Sequence, residues 1–369
     1  MTAQGDEISV RLARSEASGQ GAGCRGAAPS DPEARRALPK IELHVHLEGT
    51  IRPHTLLAIA RRNRLGLPAD TVEGLAELYR FTNFQHFLEV WTLTTNCLRT
   101  AEDFAQVVVD YAAEAAAHGA VYLEGIFSPA ERVATGVSWE ALFNGYCDGA
   151  QQAEEEHGVI VRLTPDLHWG VDLEDAMEVA TRAVAFRERG IVGLGIGGRE
   201  GACPPAQYAR AFALAKEGGL GSVPHAGEGE GPSFVRAVLD DLGADRIRHG
   251  IRAAADPALI ADLVDRGTVL DVCPTSNLCT RVVANLDEHP VPQLVNAGIP
   301  CSISTDDPAM FGTDLGREYK LASRLGLDHR RTYQAGVQGA LCEETTRAKL
   351  AAVVGSTEWH PVGRRPAAP

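Results

Sequence analysis

The sequence has no run of eighteen apolar residues, no basic amino-terminal end leading into an apolar stretch, and no C-x-x-C pair among its eight cysteines. These absences argue against a helical membrane span, a secretory signal, and a zinc-ribbon or thioredoxin-like motif. The cysteines stand at positions 24, 97, 147, 203, 273, 279, 301 and 342 without framework spacing. They are expected to be reduced thiols of a cytoplasmic protein. Positive charge is also short: 35 Lys and Arg against 49 Asp and Glu give a net charge of -14. A surface of that sign repels polyanions, so neither nucleic acid nor a membrane is an expected partner. What remains is ordinary globular material, 44% hydrophobic and 23% charged, in a 369-residue chain able to bury a large core.

Residues 1–30 mix Gly, Ser, Ala and single charges without periodicity and are expected to be a disordered leader. Residues 31–355 then form one catalytic domain, and 356–369 a carboxy-terminal tail. The domain opens on Lys40-Ile41-Glu42-Leu43-His44-Val45-His46, an apolar strand ending in two histidines. Side chains two apart on a strand share a face, so His44 and His46 are expected to project together. Helical periodicity follows over Ile51–Arg64, Phe84–Leu98 and Glu102–His118, predicting a long helical insertion after the first strand. Further strands are predicted at Val121–Phe127, Val159–Leu163, Ile191–Ile196, Gly221–Val223, Arg246–Ile247, Val269–Val272 and Cys301–Ile303. Most are separated by amphipathic stretches long enough for parallel crossovers. Eight such units predict a (β/α)8 TIM barrel. An open doubly wound sheet is the competing layout, but no glycine fingerprint follows the first strand.

A barrel places its chemistry just past the carboxyl ends of its strands. There stand His44 and His46 (strand one), Gly195 to Gly198 (strand four), His225 and Glu228 (strand five), and His249 (strand six). Strand seven contributes Cys273-Pro274-Thr275-Ser276-Asn277, and strand eight Asp306 and Asp307. Three histidines and an aspartate suit a borderline metal, so His44, His46, His225 and Asp306 are the candidate ligands of one zinc ion per chain. Metal-activated water would then be oriented or deprotonated by His249, and Glu228 would pass protons to a substrate ring. His54, His86, His118, His157, His168, His289, His329 and His360 are expected in helices or loops, with structural or solvated roles.

Taken together, P-K-I-E-L-H-V-H-L-E-G-T, H-A-G-E, R-H-G and S-T-D-D-P resemble, in order and separation, the adenosine/adenine deaminase family of metal-dependent hydrolases. The resemblance runs from about Leu38 to Leu325. It implies a zinc-dependent hydrolytic deaminase that converts a small-molecule 6-aminopurine to the 6-oxopurine and ammonia. His249 and Asp306 would position the attacking hydroxide, and Glu228 would protonate ring nitrogen 1. Asp307 would meet ring nitrogen 7 and Gly198 ring nitrogen 3, with His46 and Glu48 completing the substrate side. Another zinc deaminase architecture pairs H-x-E with P-C-x-x-C, and the second half is missing here.

Adenosine, or an adenosine-like nucleoside, is the leading expectation. Glu48, where animal-type enzymes carry aspartate, resembles the adenine-deaminase branch and favours a free base. Gly195 and Arg199 replace aspartates usual in the nucleoside enzymes. A cavity opened by Gly195 would accept a nucleoside with an extended or anionic 5′ group, such as 6-amino-6-deoxyfutalosine. A different metal-dependent amidohydrolase lacks its bridging lysine at strand four. A purine-binding barrel without catalysis has no use for Glu228 and His249 as a proton-handling pair. No feature of the sequence specifies an oligomer.

Overall fold

Short runs of aliphatic and β-branched residues supply eight parallel strands: β1 (Lys40–His46), β2 (Ala120–Phe127), β3 (Ile160–His168), β4 (Gly193–Gly197), β5 (Gly221–Ala226), β6 (Arg246–His249), β7 (Val269–Val272) and β8 (Cys301–Ile303). The computed structural model describes residues 37–82 and 84–359. The expected leader, 1–30, and the tail beyond 359 lie outside them. Each strand pairs with its sequence neighbours in the order β1 to β8. The ring is completed by a parallel bridge between Val45 and Asp306. There the Asp306 N–H donates to the His44 carbonyl at 3.1 Å and the His46 N–H to the Asp306 carbonyl at 2.8 Å. The Ser304 hydroxyl also accepts the N–H groups of Leu43 and His44, at 3.1 and 3.2 Å. Closure in sequence order makes this a (β/α)8 barrel and sets the open sheet aside.

Two strands run on through a proline, past the ends their apolar patterns suggest. β3 continues through Pro165 to His168, and β5 through Pro224 to Ala226. Proline has no N–H to donate and reads as a strand end. In β3, however, Pro165 still aligns with Phe127, at the last paired position of β2.

The crossover helices form because apolar residues recur every three or four positions, giving each a stripe to bury against the barrel. In the helix Pro257–Arg266, Leu259 and Leu263 are that stripe, and Asp256 caps it by accepting from the N–H groups of Ala258 and Leu259. Four helices separate β1 from β2: α1 (Pro53–Arg62), α2 (Val72–Ala76), α3 (Phe84–Thr95) and α4 (Ala101–Ala117). Arg52, just before α1, donates to Glu114 on α4 and to the carbonyls of Pro308 and Thr313 beyond β8. The insertion is thereby tied beside the rim that carries Asp306. At the opposite end the helix His329–Gly339 packs on β1 so closely that a Cβ at Gly336 would meet the Ile41 side chain at 2.7 Å. Among the described residues no helix is long and apolar enough to cross a membrane.

The ring also encloses charge. Arg246, 0% exposed, donates to Glu124 at 2.6 Å, to Asp271 at 2.5 Å, and to the carbonyls of Gly339 and Leu43. Removing one partner of a buried charge cluster strands the other charges in a medium that solvates them poorly. Arg246→Leu is therefore expected to cost about 3–5 kcal/mol of stability, read from denaturant unfolding. A change no larger than that of an exposed substitution would show that the cluster is not held by charge.

Candidate active site

Barrel closure brings four donor atoms to one point. Asp306 Oδ1 lies 3.1 Å from His44 Nε2 and 3.3 Å from His46 Nε2, and His225 Nε2 lies 3.1 and 3.2 Å from the same two nitrogens. These lone pairs repel one another unless a proton or cation sits among them. Burial lowers His44 well below the usual imidazole range and His225 to about 4, so both face the centre as neutral bases. Burial also works against charge on His46, but Asp307 and Asp306 outweigh it and push that imidazole up to about 9. The cluster thus draws positive charge to itself, and a divalent cation is the natural occupant of such a donor set.

Each ring is aimed from behind. His225 Nδ1 donates to the Ile196 carbonyl at 3.0 Å, leaving Nε2 free, and His44 Nδ1 faces the Asp271 carbonyl at 3.4 Å. The second oxygen of Asp306 accepts from Ser276 at 2.6 Å. Asp306 and His249 are held at φ 65° and 64°, a left-handed conformation that L-residues with a Cβ adopt only under constraint.

His249 sits beside this cluster, its Nε2 3.8 Å from Asp306 Oδ2 and 3.5 Å from Glu228 Oε2. Burial raises the Glu228 carboxyl above its usual range, and the charges of Asp306 and Glu200 add to the effect while His249 opposes it. Glu228 is therefore placed to hold a proton. Its backbone is clamped by a residue absent from the expected set. Glu200 accepts the N–H groups of Gly227, Glu228 and Glu230 at 3.2, 3.1 and 2.7 Å. Gly198, on the same turn as Glu200, is exposed at the rim with φ 83°.

Of the two acids expected on the substrate side, Asp307 keeps a buried oxygen, Oδ1, without a protein partner among the described residues, whereas the buried Tyr146 hydroxyl is placed to donate to one oxygen of Glu48. Glu48 Oε1 accepts the Ser128 N–H at 3.0 Å. Burial, reinforced by Asp306, Glu48 and Glu228, pushes Asp307 up to about 8 against the opposing pull of His46. A ligand with hydrogen-bonding edges would satisfy the Asp307 oxygen.

The structure corrects two sequence readings. Gly195 does not open a substrate cavity, because the space its Cβ would occupy is filled by the Asp166 carboxylate and the Arg248 guanidinium. Those two are ion-paired at 2.5 Å, and Asp166 Oδ2 approaches His225 Nδ1 at 3.3 Å. Asp166 was hidden because Pro165 made β3 look finished. His168 is not in a loop but ends β3, whereas His289, 4% exposed, lies in a loop as expected and is buried there.

A profile of the family described as adenosine deaminase matches residues 39–357. The chain belongs to the adenosine deaminase family. Its relatives within that family include an aminodeoxyfutalosine deaminase of Acidothermus cellulolyticus, 55% identical over 338 residues that cover 90% of this chain and 95% of the relative. An adenine deaminase of Rhodospirillum rubrum is 38% identical over 331 residues, 88% of this chain and 99% of that one. Among solved structures, an adenine deaminase from Arthrobacter aurescens superposes with a TM-score of 0.80 at 31% identity, covering 87% of this chain and 99% of its own. Metal-dependent hydrolytic deamination of a purine is the chemistry of this deaminase.

Gly195→Ala is expected to push Asp166 away from His225 and to lower kcat/KM by about tenfold or more, equally for adenosine and for 5′-extended nucleosides. Steady-state kinetics on both substrates checks it. A loss confined to the extended substrate would return Gly195 to the substrate pocket.

Proposed function

We propose that this deaminase is a zinc enzyme acting on aminodeoxyfutalosine, a 6-aminopurine nucleoside extended at its 5′ end. The observation that carries the substrate is the 55% identity to an aminodeoxyfutalosine deaminase over nearly the full length of both chains. It favours the extended nucleoside over the adenosine that leads on motifs alone. Free adenine is the second reading, supported by the adenine deaminases at 38% and 31% identity and by a glutamate at position 48.

Zinc is supported by the donor set. Zinc takes nitrogen and oxygen ligands at about 2.0–2.2 Å, and Asp306 Oδ1 and His225 Nε2 each lie 3.1–3.3 Å from both His44 Nε2 and His46 Nε2, so these four residues would hold it. A bound zinc ion lowers the pKa of water to about 7, making it a usable nucleophile at neutral pH.

The protein groups then divide the remaining work. Asp307 Oδ1, without a protein partner among the described residues, is available to the substrate's polar edges, and Glu48 stands beside it. Gly198 presents an exposed backbone edge to ring nitrogen 3. Glu228 gives its proton to ring nitrogen 1, and the loss of electron density makes carbon 6 open to attack. His249 faces the incoming water from the wall it shares with Glu228 and Asp306. The carbon 6 to nitrogen bond breaks once the amine is protonated, ammonia leaves, and the 6-oxopurine remains.

A panel of aminodeoxyfutalosine, adenosine, 2′-deoxyadenosine and adenine, followed by ultraviolet absorbance, tests the substrate. The largest kcat/KM is expected for aminodeoxyfutalosine; a larger value for adenine would establish the second reading. In the same assay Glu228→Gln is expected to keep its metal and lose about 10²-fold or more in kcat, whereas Asp306→Ala loses metal and turnover together. Zinc lost from the first variant, or retained by the second, contradicts these assignments.

A further inference from the structure

Behind His249 runs a file of hydrogen bonds whose direction is set at its far end. The Val291 N–H, which can only donate, points at His289 Nδ1 over 3.2 Å. Nδ1 therefore offers a lone pair, and the neutral His289 ring carries its proton on Nε2. That nitrogen lies 3.2 Å from one terminal atom of the Asn277 side chain. Two donors do not face each other, so the atom is Oδ1, and the orientation of the amide follows. Asn277 Nδ2 then donates toward His249 Nδ1 at 3.4 Å. A neutral ring that accepts at Nδ1 carries its proton on Nε2, the nitrogen facing Glu228 and Asp306 at 3.5 and 3.8 Å.

Asn277 and His289 are 0% and 4% exposed and His249 is 1% exposed, so bulk water does not compete for these bonds. Burial lowers His289 to about 4, which keeps it neutral, with its Nδ1 an acceptor, under ordinary conditions. Among the described residues neither Asn277 nor His289 belongs to a group of side chains that could hold a metal ion, whereas His249 stands with His44, His225 and Asp306.

We propose that His289 and Asn277 are positioning residues that lock His249 in its Nε2–H tautomer, so that His249 serves the reaction as a hydrogen-bond donor and not as a proton acceptor. A donor at Nε2 holds the oxygen of the attacking water by its lone pair and directs it toward carbon 6. The proton released by that water passes to a carboxylate of the same wall. Turnover enters this inference through the deaminase reading above; the tautomer does not depend on it.

Asn277→Asp is the decisive variant. A carboxylate still accepts from His289 Nε2 but can only accept from His249 as well, which moves the His249 proton to Nδ1. Metal content and KM are expected to stay near their original values. The expected fall in kcat is about 10²-fold to 10⁴-fold, the scale seen when a catalytic imidazole is held in the wrong tautomer. His289→Phe is expected to cost less, about tenfold, because the Asn277 amide then turns between two orientations, and His289→Gln, which keeps a donor, restores part of the loss. Nitrogen NMR of the zinc-loaded protein with labelled imidazoles, assigned through a His249 variant, reads the tautomer without turnover. It is expected to give a pyridine-type Nδ1 and a pyrrole-type Nε2 for His249, exchanged in Asn277→Asp. A pyridine-type Nε2 in the unmutated protein overturns the proposal, as does unchanged kcat, or loss of zinc, in Asn277→Asp. If the tautomer is as stated but none of the four purines is turned over, the failure lies with the substrate reading instead.

Discussion

The chain closes its barrel with the same residue that completes the cluster of donors able to hold a metal ion. Asp306 exchanges two backbone hydrogen bonds with β1, through the His44 carbonyl and the His46 N–H. Its side chain is thereby held against the two histidines whose backbone it has just paired. Ligand convergence is thus a property of strand register: a slip between β8 and β1 would break the ring and scatter the donors in one event. The left-handed backbone of Asp306 is the cost of turning the carboxylate inward at that point.

Around that junction the interior is unusually polar, and the polarity has a direction. Arg246 neutralises Glu124 and Asp271, while Arg248, two residues further along β6, pairs with Asp166. Asp271 also presents its carbonyl to His44, and Asp166 its carboxylate to His225. The two arginines hold fixed the groups that in turn aim the His44 and His225 rings. Packed hydrocarbon would hold the strands together equally well, but it offers no hydrogen-bond acceptor to orient an imidazole.

Much of this was legible in the sequence, for physical reasons. Parallel strands buried on both faces must be apolar runs, and a barrel's chemistry must gather at their ends, so His44, His46, His225, His249 and Asp306 were readable from position alone. Asp166 was not, because Pro165 ended the apparent strand before reaching it. His289 was not, because nothing in a His-Pro dipeptide tells a buried acceptor from a solvated loop residue. Glu200 stood in a turn whose neighbours invited a reading in terms of missing aspartates, whereas its task is to hold another loop's backbone. Gly195 was misread for a related cause: a missing side chain in one strand looks like empty space until the adjoining strand is seen to fill it. These are all contacts between segments far apart in sequence, where local pattern is silent.

The positive φ angles at His249 and Asp306 carry an evolutionary consequence. Among the described residues only two other non-glycine positions, Arg64 and Arg281, share that conformation. Left-handed backbone costs an L-residue of order 1–2 kcal/mol, and glycine or asparagine relieves it. Selection for thermal tolerance alone would therefore reward replacement of these two residues, the ones the chemistry can least spare. Sequence libraries screened for folding would drift toward sturdy, inert barrels, and an excess of stability over the natural protein would be the mark of a lineage that had stopped working as an enzyme.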